Sequence, residues 1–320
     1  MTSADRSALL PRRSRAERTS GRRAGGRRRP PGAGRRGLGL MAMGAPTTAL
    51  FAALVVAPIG ITVHYSLNDV NFLRDEISWV GFSNYAKLWE SGDFRHALYV
   101  TLLIAAASVV VPNALGLLFA VLLDAGSRLY TTLRIILFAP FVLSPLVVGL
   151  TFRWTLANDG SLNNALEAIG IPGPEWISSP NLAVVSVGLA LAWQLIAFAT
   201  VIYVAALRAI PTDLYEAASI DGASGYLRFR LITWPLVAPA VTITTLISLI
   251  SALKLYDHVV ALTGGGPGRS SETVGLAIIR AGFTQNRAGL ASAMAVLLLV
   301  ITAATTVISL RVLRRREVEL

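Results

Sequence analysis

His64, His96 and His258 are the only histidines in the chain, and cysteine is absent. The absence of cysteine excludes disulfides and thiolate metal sites, and the three histidines lack the spacing of metal ligands. The glycine cluster "TGGGPGRSS" at 263–271 lacks the Gly-Lys pair of a phosphate-binding P-loop and reads as turns. "GAGRRG" matches a dinucleotide-binding pattern at Gly32, Gly34 and Gly37, but no strand precedes it, so the match is accidental. No nucleophile–base motif stands out. The sequence therefore predicts a chain that is no enzyme and holds no cofactor. Its chemistry is hydrogen bonding.

Three groups of residues could do such bonding. Asn113 and Gln194 fall in the middle of long apolar runs, and Trp193 adjoins Gln194. Polar groups at such places are expensive and often functional. Amide and aromatic side chains suit the hydroxyls and apolar ring faces of a polar solute, yet amides also bond helices to one another. Both readings stay open. Thr244, Ser248 and Ser251 share one helix face at i, i+4, i+7, where small residues either line a path or allow close packing.

The third group lies at 213–235, "DLYEAASIDGASGYLRFRLITWP". Asp213 is placed to cap a helix, with Glu216 three residues on to complete a capping box. Gly222 can take the left-handed conformation that closes a helix. A second short helix, "YLRFRLI", then runs to Pro235 at the entry to the next apolar run. This is a helix–glycine–helix elbow, too polar to cross a bilayer and too short to be stable alone.

The elements around these residues are apolar. Hydrophobic residues make up 54% of the 320 and charged residues 15%, against about 25% charged in soluble domains. Mean hydropathy is +0.60. Six candidate spans are expected, at 40–66, 97–123, 135–157, 181–207, 236–256 and 289–311. No alternating strand pattern runs through them, so the expected fold is an all-α polytopic membrane protein.

Residues 1 to 39 hold 12 arginines against Asp5 and Glu17, leaving 17 basic and 16 acidic residues for the rest. The pI of 10.8 thus describes a tail. Counts of basic residues put both termini and segment 208–235 on the cytoplasmic side, with 67–96, 158–180 and 257–288 outside. The expected organisation is a disordered Arg-rich tail (1–39), a transmembrane domain (40–311) containing the elbow loop (208–235), and a short C-terminal tail (312–320). The apolar run after the Arg-rich tail is too long for a signal peptide and is expected to remain as the first span. With no aromatic residue in it, the tail reads as a topology anchor on anionic membrane lipid rather than a nucleic-acid binder.

Glu216-Ala217-Ala218, then three residues, Gly222, nine residues, Ile232 and Pro235 resemble the EAA loop of the membrane subunits of binding-protein-dependent ABC importers. Trp234 stands where that loop usually has leucine. "VGFSNYAKLW" (80–89), "NDGSLNNAL" (158–166), "AALRAIPTDLYEAASIDGAS" (205–224) and "LYDHVVALTGGGPG" (255–268) resemble the carbohydrate-uptake branch. The resemblance implies a permease subunit in a bacterial cytoplasmic membrane, with a second, unlike permease subunit. It also implies a pair of cytoplasmic ATPase subunits that bind ATP and Mg, and an external solute-binding protein. The elbow is then the coupling helix, with Asp213, Glu216, Ala217, Ala218, Asp221 and Gly222 as ATPase-coupling residues. Asn113, Trp193, Gln194, Thr244 and Ser248 are the substrate-path candidates. The expected solute is a sugar or oligosaccharide. The rival readings are another polar solute, such as a polyol or glycerophosphodiester, and an intramembrane enzyme.

Overall fold

A computed structural model describes residues 44–71, 74–123 and 128–315 of the chain. The Arg-rich tail at 1–39 and the last residues, 316–320, lie outside the described residues. Five helices are long and apolar enough to cross a membrane: α1 (Gly44–Ser66), α3 (Gly92–Leu122), α7 (Pro180–Arg208), α9 (Gly225–Leu253) and α12 (Ala288–Arg314). They answer five of the six expected spans, each within a few residues except at the start of α9. Their apolar side chains face outward in number, as a lipid solvent requires, and their backbone groups bond within the helix.

The third expected span, 135–157, is not one straight helix. It consists of α4 (Arg128–Val142) and α5 (Pro145–Thr155), bent by 116° across a two-residue break. Pro145 explains the break, because its ring and missing N–H disfavour a helix running through Leu143 and Ser144. Ser144 instead starts the new helix by accepting from Val147 N–H. The eleven residues of α5 would reach only about 16 Å, so α5 cannot span alone. Among the described residues the fold thus has five full spans, or six if the bent pair counts as one.

Short elements fill the end at which α3 and α12 begin. The hairpin β1 (Asn68–Asn71) and β2 (Arg74–Trp79) pairs antiparallel with Val70 opposite Ile77. It is the one departure from the all-α expectation among the described residues. The helix α2 (Ser83–Glu90) is fastened to it. Asn84 Nδ2 donates to the Ser66 and Asn68 carbonyls at 2.9 Å each, and Tyr85 Oη to Ser66 Oγ at 2.8 Å. The remaining short helices are α6 (Ser161–Ala168), α8 (Thr212–Ile220), α10 (Asp257–Leu262) and α11 (Val274–Thr284). One core cluster lies where α3, α5, α7, α9 and α10 meet, around Val100, Val148, Val187, Leu253 and Val259. A second, around Ala120, Tyr203, Leu207 and Val237, joins α3, α7 and α9 at the opposite end, beside α8.

Candidate functional site

The elbow closes as its glycine predicts. Gly222 has φ +73°, and a Cβ there would meet no neighbour, so backbone conformation alone selects glycine. Around it Ala223 N–H donates to the Ala218 carbonyl at 2.9 Å and Gly222 N–H to that of Ser219 at 3.1 Å. This pair of bonds is the Schellman ending of a helix. Tyr215 and Thr233 hydroxyls, 2.9 Å apart, tie α8 to the second limb.

Two details differ from expectation. The helix begins at Thr212 with Pro211 at the capping position and no side-chain cap, so Asp213 and Glu216 form no capping box. Pro211 presets the extended entry and leaves no side-chain acceptor there. Asp213 instead sits in the first turn, where its charge favours the helix dipole. The second limb is also not a separate helix ending before Pro235. It is the start of α9, because a wide π turn at Phe229–Thr233, closed by Trp234 N–H to the Phe229 carbonyl, carries the helix past the proline.

The elbow presents its side chains to solvent. Asp213, Glu216, Ala217, Asp221 and Gly222 are exposed, and Ala218 is half-buried. Ile220 is 87% exposed and Tyr226 70%. Arg230 is exposed, while Arg228 is half-buried with its Nε unpartnered.

The path candidates divide into two places. Asn113, on α3, accepts at Oδ1 from Tyr203 Oη of α7 and Thr244 Oγ1 of α9, both at 2.5 Å. Its Nδ2 donates to the Val109 carbonyl at 2.6 Å. Tyr203, fully buried, is the member of this trio that the sequence reading missed; its spacing four residues before Leu207 marks only a core stripe. Ser248, one turn beyond Thr244, is buried with an unpartnered hydroxyl.

The second place is a cavity of about 230 Å³ at the break between α4 and α5. Leu143, Gln194, Ser251, Lys254, Asp257 and His258 line it. Lys254 and Asp257 are exposed at its wall, and among the described residues neither is paired with an opposite charge. Gln194 is therefore brought together with a histidine that its sequence position did not suggest, since His258 shows no motif spacing. Trp193 turns the other way, against Phe152 of α5 at 5.6 Å between ring centroids. Phe141 of α4 meets Phe198 of α7 at 5.1 Å.

The loop at 263–271 is more built than turns alone. Thr263 and Ser271 hydroxyls are 2.8 Å apart, Ser271 donates to the Gly266 carbonyl, and His96 Nε2 meets the Ser270 carbonyl at 2.9 Å. Glu272, 1% exposed, accepts from Arg269 and, at 2.8 Å, from Arg280. Arg269 also pairs with Asp93 at the start of α3. The hydrogen bond to Glu272 raises the Arg269 guanidinium pKa above its usual value. Among the described residues no cluster of histidine, aspartate or glutamate could hold a metal.

Residues 112–318 match the family of binding-protein-dependent transport system inner membrane components, and the chain belongs to that family. It is a multi-pass membrane permease component rather than an enzyme. A probable starch degradation products transport system permease protein (AmyD) of Thermoanaerobacterium thermosulfurigenes is 30% identical, over 86% of this chain and 94% of its own. The trehalose/maltose transport system permease protein MalF of Thermococcus litoralis is 31% identical, over 85% and 92%. The fold is similar to that in a crystal structure of a bacterial ABC transporter that imports the acidic polysaccharide alginate. There the TM-score is 0.75 at 22% identity, covering 88% of this chain and 96% of that one.

Proposed function

We propose that this chain is the permease subunit through which an ATP-driven importer takes up a sugar or oligosaccharide delivered by an external solute-binding protein. Its relatives are permeases for starch products, trehalose and maltose, and multiple sugars, which favours sugar over a polyol or glycerophosphodiester. An alginate transporter of the same fold has been solved with a periplasmic protein carrying an alginate pentasaccharide, which supports the external partner. A second permease subunit completes the pathway. ATP and Mg belong to a pair of cytoplasmic ATPase subunits. Both termini face the cytoplasm of a bacterial inner membrane, in line with the basic residue count.

The observation that carries the reading is the elbow. A short helix closed by Gly222 leaves Glu216, Ile220 and Tyr226 exposed at the end of a long helix. Asp213, Glu216, Ala217, Ala218, Asp221 and Gly222 form the surface on which an ATPase docks. Glu216 has no partner among the described residues, so its carboxylate can accept a hydrogen bond from a basic residue across that interface. On the solute side, Lys254 and Asp257 at the cavity offer a donor and an acceptor for sugar hydroxyls. Trp193, Gln194 and the Asn113–Thr244–Ser248 group flank that route through the bundle.

The test is co-purification. Expressed with its genomic neighbours, the tagged chain should bring down an ABC ATPase and a second permease, and vesicles containing the complex should import a sugar presented by the binding protein. Recovery of the chain without an ATPase would overturn the reading.

A further inference from the structure

The carbonyls of Pro140 and Leu143 lie where α4 ends, so no following amide of that helix reaches them. One side chain meets both. Gln194 Nε2 donates to Pro140 O at 3.0 Å and to Leu143 O at 2.8 Å. The amide oxygen of Gln194 lies 2.7 Å from His258 Nε2. Carbonyls only accept, so the NH₂ group must face them and the amide oxygen must face the imidazole. His258 Nε2 therefore carries the proton. Both amide hydrogens of Gln194 are committed inside the protein, and neither is left for a solute.

Gln194 and His258 nonetheless line the cavity, together with Leu143 of the break itself. Beneath them α5 lies tight on α10: a Cβ on Gly149 would sit 2.6 Å from Ala261 Cβ and 3.2 Å from the His258 carbonyl. The break is thus fixed on one side by side-chain bonds and on the other by close backbone approach.

We propose that Gln194 and His258 are positioning residues: they clamp the broken helix and so set the shape of the cavity that a transported solute occupies. This rests on the cavity being the solute's place, but the clamp itself can be tested without a solute. Remove the clamp, and two carbonyls, that of Pro140 buried, lose their side-chain donor. The segment from Phe141 to Pro145 then has to shift to find others, and it forms one wall of the cavity.

The lack of native cysteine makes the test direct. Ser251→Cys places a single thiol at the same cavity, and its labelling rate by a charged methanethiosulfonate is read in membranes holding the complete transporter. Gln194→Glu keeps size but cannot donate to two carbonyls, and His258→Phe keeps the ring but loses the donor. Each should change the rate at least about fivefold, and the double variant should do no more than the larger single one, as neighbours acting as a unit require. His258→Gln, whose amide nitrogen reaches the place of Nε2, should restore the parent rate. A control thiol from Ser78→Cys, exposed on β2, should label equally in all backgrounds, which a general loss of folding would not allow. One labelling rate at position 251 across all variants, or independent effects of the two residues, overturns the clamp. Because the probe is the thiol reagent, neither result depends on whether a sugar binds.

Discussion

The Tyr215 hydroxyl lies 2.9 Å from that of Thr233, bridging the elbow from its short helix to its long one. Eighteen residues separate the two in sequence, yet the bond makes the turn at Gly222 a braced corner rather than a loose loop. It joins α8 to the helix that runs on into the bundle, so a push on one is felt by the other.

Tyr215→Phe should therefore leave insertion and ATPase association intact while loosening the corner. A neutral hydrogen bond of this kind contributes about 0.5–1.5 kcal/mol. Uptake should fall a few-fold at unchanged ATPase recovery; equal uptake by the variant would show that the brace is idle.

Gly222→Val should be more damaging. A left-handed conformation costs a non-glycine residue about 1–2 kcal/mol, and β-branching adds to it. The expected result is normal membrane insertion with severe loss of import. Glu216→Ala should be milder, because among the described residues it removes no side-chain bond. An interface hydrogen bond to a charged group is worth about 1.5–3 kcal/mol, so ATPase co-purification should drop while the melting temperature of the permease alone stays unchanged.

How much of this was legible beforehand depends on which physical signal each feature leaves. Gly222 was legible because a left-handed residue after a short helical pattern has one favoured identity. The spans were legible because bilayer thickness dictates a run of apolar residues. The capping box was misread: Asp213 and Glu216 have the right spacing, but Pro211 takes the capping position two residues earlier. The break at Leu143–Ser144 was missed although Pro145 stands in plain view, since prolines are tolerated in spans such as those holding Pro112 and Pro239. The pairings of Asn113 with Tyr203 and of Gln194 with His258 join residues 90 and 64 apart. No periodicity in one segment announces a partner in another.

Glu272 offers a test of the loop at 263–271. Glu272→Gln keeps the shape but withdraws the charge that Arg269 and Arg280 share. Both arginines are partly exposed, at 38% and 27% of their side chains, so water softens the loss. A destabilisation of roughly 1–2 kcal/mol is expected, read as a lower melting temperature of the detergent-solubilised complex. No shift would mean the carboxylate's pairs contribute nothing.

Orientation can be read with reporters. Fusions after residue 320 and within 208–235 should both report cytoplasm, and one within 158–180 should report the outside. An external C-terminus would remove the elbow from the ATPase altogether.

Deletion of residues 2–30 should leave uptake largely unchanged, because Arg35 and Arg36 still flank the first span. Loss of transport with normal insertion would reveal a specific partner for the tail.

The π turn at Phe229–Thr233 has a mechanical consequence. By carrying the helix past Pro235, it makes Gly225–Leu253 one rod of 29 residues, about 43 Å long at 1.5 Å per residue. Its near end is the corner at Gly222; its far end, Leu253, adjoins Lys254 and Leu255 in the cavity wall. Pivoting such a rod by about 5° at one end displaces the other by roughly 4 Å, given that length. That is more than the reach of a hydrogen bond. The chain thus contains a lever whose short arm is the surface a partner would grip, and whose long arm ends where a solute would be held or let go.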